Sequence, residues 1–220
     1  MSQLKIHSPS SIQLDQLCFD KLYHTKNGVT KATVTYQGQP LMIQGPKMTF
    51  GTDVMKSGDY YYMDLVFKSK HARSREASEL IKNIDYSAIS EIFDSSEQWY
   101  QSADEVGLCQ IEKEFIPTLK LSTIYPDREC LKLAVKVNDV EFYDQDGLTI
   151  PYLMLKEGYE TIPLLQLVEV IKDEGHIWAE WKVFQLKTEV PMQVFKSCQL
   201  VDVVESEEEC ETCEEDPDFY

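Results

Sequence analysis

Between Asp59 and Val106 the chain carries neither glycine nor proline, whereas both recur before that stretch and again from Gly107 to Pro191. These two residues are the strongest local breakers of regular structure, so a long helix can grow only in the middle. Within that window Tyr61, Met63, Leu65 and Phe67 alternate with Tyr60, Tyr62, Asp64 and Val66. The alternation predicts a strand over 60–68 with the first set inward. Ser74 then offers a helix N-cap, Glu76 and Glu79 sit near the positive end of the dipole, and Ala77, Leu80, Ile81, Ile84, Ala88 and Ile92 recur at helical spacing. One amphipathic helix over about 74–93 is the expectation, with a shorter one starting at Ser95-Ser96 and running through Trp99 and Tyr100.

The flanks read as antiparallel sheet. Asn27-Gly28 lies between the apolar runs 17–23 and 29–36, the strongest short-range hairpin signal. Gln37-Gly38-Gln39-Pro40 turns the second run into 41–44. Further on, Leu131, Leu133, Val135 and Val137 alternate with Lys132, Ala134 and Lys136. Turns at Asp144-Gln145-Asp146-Gly147 and Asp173-Glu174-Gly175 follow, the second joining 164–171 to 176–187. Strands, a strand running into one helix, then more strands predict a mainly β (α+β) fold: an OB-like antiparallel β-barrel with one packed helix.

Of the 220 residues, 43% are hydrophobic, enough to bury a core, so whole-chain disorder is excluded. No apolar run approaches the roughly 18 to 20 residues that a spanning helix needs, and no membrane partner is expected. The opening residues lack the apolar stretch of a signal peptide, so the six cysteines are expected to be reduced thiols of an intracellular protein. The formal net charge is -17, from 38 acids and 21 bases, but its placement is uneven. Nine acids and no base lie between Glu205 and Tyr220; setting them aside leaves 29 acids against 21 bases, a net of -8 over 1–204. The expected organisation is one domain over 1–204 and a disordered acidic tail over 205–220 ending in Phe219 and Tyr220.

Motifs for catalysis are absent. The four histidines, His7, His24, His71 and His176, are scattered without metal-ligand spacing. Cys210 and Cys213 have the spacing of half a zinc knuckle or of a redox pair, with no second pair nearby and inside the acidic stretch. There is no Gly-rich phosphate loop and no nucleophile elbow. The expectation is a non-enzyme with no metal and no cofactor.

What remains is aromatic residues interleaved with bases, the composition that single-stranded nucleic acid requires: bases stack on aromatic faces while lysines track phosphates. The candidates are Lys47 and Phe50; Tyr60, Tyr62 and Lys68 on the outward side of their strand; and Lys70, Arg73 and Arg75 just after it. Further along are Lys120, Tyr125 and Arg128, then Lys132 and Lys136, and finally Trp178 and Lys182 at alternate positions of the last long strand.

The layout resembles the small single-stranded-DNA-binding proteins of DNA viruses. The tail, ending Asp216-Pro217-Asp218-Phe219-Tyr220, and the run 61–67 leading into a long helix are similar to those of the short-tailed coliphage member. The segment Ile43-Gln44-Gly45-Pro46-Lys47-Met48, followed by Phe50-Gly51, is similar to one in proteins of large eukaryotic DNA viruses. The resemblance implies a barrel that coats and protects single-stranded DNA during viral replication, recombination or repair. It also implies a tail that recruits replication proteins through Phe219 and Tyr220 and competes with DNA for a basic groove. The place of action expected is the host cytoplasm (a viral factory) or nucleus, with packaging in virions as an alternative, and a homo-oligomer is left open. Two rivals stand beside it: a non-enzymatic virion structural protein, and an enzyme whose groups converge only in three dimensions.

Overall fold

Hairpins organise the first third of the chain. The computed structural model describes residues 5–20, 22–101 and 106–191; the acidic stretch 205–220, with Phe219 and Tyr220, lies outside them. The early strands are β1 (Ile6–His7), β2 (Leu17–Phe19), β3 (Tyr23–His24), β4 (Thr30–Tyr36), β5 (Gln39–Gln44), β6 (Met48–Phe50), β7 (Met55–Ser57) and β8 (Tyr60–Val66). At Asn27-Gly28 the glycine takes φ +84°, and the Thr25 amide donates to the Val29 carbonyl at 2.8 Å, closing the predicted turn. Gln37 and Gly38 both have positive φ, 54° and 72°. That is the two-residue turn whose twist matches a right-handed hairpin. The run 17–23 is interrupted, giving β2 and β3 as separate short strands on β4.

The helical segment follows: α1 (Ala72–Asp94), α2 (Ser96–Tyr100) and α3 (Leu108–Glu114). The N-cap of α1 is His71 and not Ser74. Ser74 lies in the first turn, and its hydroxyl accepts the Lys68 amide at 3.3 Å. Ala77, Leu80, Ile81, Ile84, Ala88 and Ile92 are all buried in one core with Met63, Leu65 and Leu131. At roughly 1.5–3 kcal/mol for each large aliphatic side chain, this stripe fixes the helix to the sheet. On the same face Asp85 is buried, with both carboxylate oxygens accepting from Thr118, its amide at 2.8 Å and its hydroxyl at 2.6 Å. Burial pushes the Asp85 carboxyl up to about 6 against the lowering effect of those two donors. The α3 helix stands where the sequence predicts only sheet, because Ile111 is its single buried residue and one apolar position makes no visible period.

The late strands are β9 (Leu119–Leu121), β10 (Glu129–Lys136), β11 (Glu141–Tyr143), β12 (Glu160–Asp173) and β13 (His176–Glu189). Among the described residues all thirteen strands belong to one sheet, with the path β1-β5-β4-β12-β6-β8-β10-β9. The expected barrel is corrected here: the sheet is open. Among the described residues no ladder joins β10 to β13, whose free edge is taken instead by β11, pairing in parallel over Glu141–Tyr143 with Gln185–Lys187. A second parallel pair, β1 with β5, also departs from the all-antiparallel expectation. The mainly β fold with one long packed helix stands.

The longest ladder, β12 with β13, holds two bulges. Pairing runs Leu164↔Gln185 then Leu165↔Val183, and Leu167↔Trp181 then Glu169↔Glu180. An extra residue, Phe184 on β13 and Val168 on β12, is therefore left unmatched at each. The inward set changes parity with the second bulge, from Leu165 and Leu167 to Val170.

Candidate nucleic-acid interface

The outward residues of β8 and β10 fall into register. Lys136 is directly opposite Tyr60, Ala134 opposite Tyr62 and Lys132 opposite Asp64. Directly opposed residues of an antiparallel pair share a face, so two tyrosines and two lysines lie together on the side away from the core. On the other flank β7 brings Ser57 opposite Tyr60 and Met55 opposite Tyr62. The tyrosines are well exposed, Tyr60 at 38% and Tyr62 at 43%, and their ring centroids are 6.4 Å apart with a 46° tilt. Ala134 presents only a methyl group, which leaves the Tyr62 ring uncovered from the β10 side. Lys132 meets Asp64 at 3.5 Å, while no described carboxylate pairs with Lys136. Lys120 of β9 is exposed opposite the buried Cys130 of β10, and its charge acts on Asp85.

Toward the other end of β8 the same face becomes an ion-pair cluster. Val66 is opposite Cys130 on one side and Thr49 on the other, and Thr49 is opposite Glu160, which is opposite Glu189. Lys47 contacts Glu160 at 3.1 Å and Glu189 at 2.5 Å, and Lys68 pairs with the second oxygen of Glu160. Hydrogen bonds from Lys68 and Lys47 hold the Glu160 carboxyl below its usual range, and Glu189 and Glu160 raise the Lys47 ammonium. These two lysines are thus neutralised in the free protein. Beyond them a cleft of about 780 Å³ opens, lined by Lys47, Lys68 and Arg73.

The remaining predicted residues distribute as follows. Phe50 is fully buried, a correction: β6 lies between β12 and β8, all three of its residues are buried, and the ring packs in the core. Lys70, Arg73 and Arg75 are exposed around the start of α1, but Arg75 faces a second, smaller hollow that it shares with Arg128. There Arg128 stacks on Tyr125, 4.9 Å from the ring centroid, so this aromatic already holds a cation. Trp178 and Lys182 are half-buried on β13, separated from β8 by β12 and β6. They do not join the tyrosine platform. Their neighbourhood is acidic: Glu180 stands between them and opposite Glu169, which accepts from Tyr23 at 2.7 Å and from Lys31 at 2.5 Å. Burial and Glu169 raise the Glu180 carboxyl; at Glu169 burial is outweighed by the Lys31 and Tyr23 donors, and the carboxyl is lowered.

Sequence reasoning misses Asp64, Ala134, Met55 and Glu160. Asp64 is within its reach, since it shares the phase of Tyr62. The others depend on which strand lies alongside, which alternation does not reveal. Among the described residues no group of three His, Cys, Asp or Glu side chains is placed to hold a metal ion. His7 is buried edge-on against Tyr36, 4.9 Å between ring centroids, and its imidazole is lowered by burial and by Lys5.

No protein-family model matches the chain, and no curated protein matches it. Among solved structures it is similar to the single-stranded DNA-binding protein from bacteriophage Enc34, at 9% identity and a TM-score of 0.44 over 83% of this chain and 97% of that one. A C-terminal truncation of that phage protein gives 10% identity and a TM-score of 0.42 over 81% and 97%. It is also similar to gp2.5, a single-stranded DNA binding protein encoded by bacteriophage T7, at 10% identity and a TM-score of 0.47 over 69% and 87%. At these identities the likeness concerns the course of the chain and assigns no side chain a role.

Proposed function

We propose that this protein binds single-stranded DNA without catalysis, and that the outward face of β7, β8 and β10 is its platform. One observation carries this function: Tyr60, Tyr62, Lys132 and Lys136, from two paired strands, stand in register on a single exposed face. Bases stack on aromatic faces whatever their sequence, and ammonium groups beside the stack neutralise the phosphates between them. A chain with a net of -8 over 1–204 can still do this, because binding responds to the local field and not to total charge.

In this proposal the protein coats strands exposed during viral DNA replication, recombination or repair. The acidic segment 205–220 competes with DNA for the lysines and recruits replication proteins through Phe219 and Tyr220. The deciding experiment is a fluorescence titration with oligothymidylate at two salt concentrations. Saturable binding that weakens as salt rises is expected. A protein inert at low salt would lose the platform assignment, and its exposed tyrosines would then belong to contacts between virion subunits.

A further inference from the structure

We propose that the 780 Å³ cleft at the far end of β8 is a second subsite for the same strand, and that a phosphodiester enters it by displacing the Glu160 carboxylate from Lys47 and Lys68. This rests on the single-strand function proposed above and goes beyond it, since Glu160 and the cleft take no part in the tyrosine platform.

The geometry starts from the anion already in place. Glu160 offers two oxygens, one to each lysine: Oε2 to Lys47 at 3.1 Å and Oε1 to Lys68. Two ammonium groups so spaced hold one singly charged group with two terminal oxygens. A phosphodiester has the same charge and the same pair of oxygens. Glu160 is also poorly placed to stay when another anion arrives, because Glu189 lies directly opposite it on β13 and shares Lys47. A phosphate added beside the pair would crowd three negative groups around two lysines; exchange with Glu160 keeps two. The carboxylate is 36% exposed, so it can swing into water.

Position supports the exchange. The even-numbered residues of β8 run from the tyrosines through Asp64 and Val66 toward Lys68 along one face, roughly 20 Å from Tyr60 to Val66 at the usual strand rise. Val66 and its neighbours Cys130 and Thr49 are buried, so a strand running from the tyrosines to the two lysines passes over this stretch without touching it. The cleft begins there, and its volume falls within the range of small-ligand sites, about 300–1,000 Å³. Arg73 supplies a further cation on its wall, Ile6 and Ile162 supply apolar surface for a base or sugar, and Glu76 is the one acid among its described lining residues.

The test compares wild type, Glu160→Gln and Arg73→Ala in fluorescence titrations at low salt. The probes are two oligothymidylates of about four and about sixteen nucleotides, the limits of site size for one such domain. Glu160→Gln keeps the shape and removes the competing charge, so the long probe should bind about two- to fivefold more tightly. Arg73→Ala should weaken the long probe by a similar factor. The short probe, seated on the tyrosines, should respond to neither. Unchanged or weaker binding of the long probe by Glu160→Gln would make Glu160 a structural counter-ion and overturn the subsite. Equal shifts for both probes would overturn it as well, because the cleft would then not be distinct from the platform. Wild-type protein that binds neither probe overturns the single-strand function itself, and the subsite falls with it.

Discussion

Tyr62→Ala isolates the stacking contribution. The Tyr62 ring is 43% exposed, lies between the Ala134 methyl on β10 and Met55 on β7, and has Tyr60 as its aromatic neighbour at 6.4 Å. Removing it deletes one stacking surface and leaves the other, so the loss should correspond to one base. That is about 1–3 kcal/mol, or about five- to 150-fold in affinity. Folding should hardly notice, because substitutions at exposed positions away from special features usually stay within about 0.5 kcal/mol. The salt slope should also stay put, since an uncharged ring releases no counterions. Tyr62→Phe should bind like wild type, which separates the ring from its hydroxyl. The assay is an oligothymidylate titration at four or more salt concentrations beside a thermal unfolding curve. If Tyr62→Ala binds as tightly as wild type while remaining folded, the platform assignment is wrong. A slope that changes in step with affinity would mean that the substitution had disturbed the lysines instead.

Replacing Lys132 and Lys136 together by alanine should weaken binding to all sequences and flatten the salt slope, by about 0.7 for each phosphate that is no longer neutralised. Lys136 should account for the larger share, since Lys132 is already partly neutralised by Asp64 at 3.5 Å; single substitutions compared across salt would show equal shares if the pairing is irrelevant. Asp85 gives a pH signature in stability. Its folded carboxyl titrates at about 6, against about 3.9 when unfolded. The native state therefore binds the extra proton between these values, and the contribution is full below about pH 4 and lost as pH rises through 6. Relative to Asp85→Asn, wild type should lose up to about 3 kcal/mol of unfolding free energy between pH 4 and 7; a difference that is flat with pH would mean that the carboxyl is not buried in solution. Deleting residues 205–220 should tighten DNA binding most at low salt, where the screening length is about 30 Å at 0.01 M and about 8 Å at 0.15 M. A truncated protein with unchanged low-salt affinity would remove the tail as a competitor.

Local patterns are legible where one face of an element is buried and the other wet. The alternation of β8 and β10 correctly separates Tyr61, Met63, Leu65, Leu131, Leu133 and Val135 from Tyr60, Tyr62, Lys132 and Lys136, and the helical stripe of α1 places its start to within two residues. The turns at Asn27-Gly28 and Glu174-Gly175 announce themselves through Gly28 and Gly175, which take positive φ without strain. Alternation fails at β6, where neighbours on both faces bury Met48, Thr49 and Phe50 alike, so an aromatic expected to face outward is core. It fails again for the partners of Lys47 and Lys68, because Glu160 and Glu189 come from strands far along the chain. Barrel closure is equally beyond reach: whether β10 or β11 takes the edge of β13 is a contest between segments with the same local preference for extended structure.

The two bulges of the β12–β13 ribbon have an evolutionary consequence. Asp173↔His176 at the turn and Glu160↔Glu189 at the far end keep the same register, while the pairs between the bulges are offset by one residue. Val168 on one strand is thus offset by Phe184 on the other. Losing either alone would slide everything beyond it by one place and turn Glu160 or Glu189 away from Lys47. Losing both restores the ends. Related chains that keep this ribbon should therefore change its length in matched steps, one residue from each strand, and an unmatched change should mark lineages in which the lysine cluster has been abandoned.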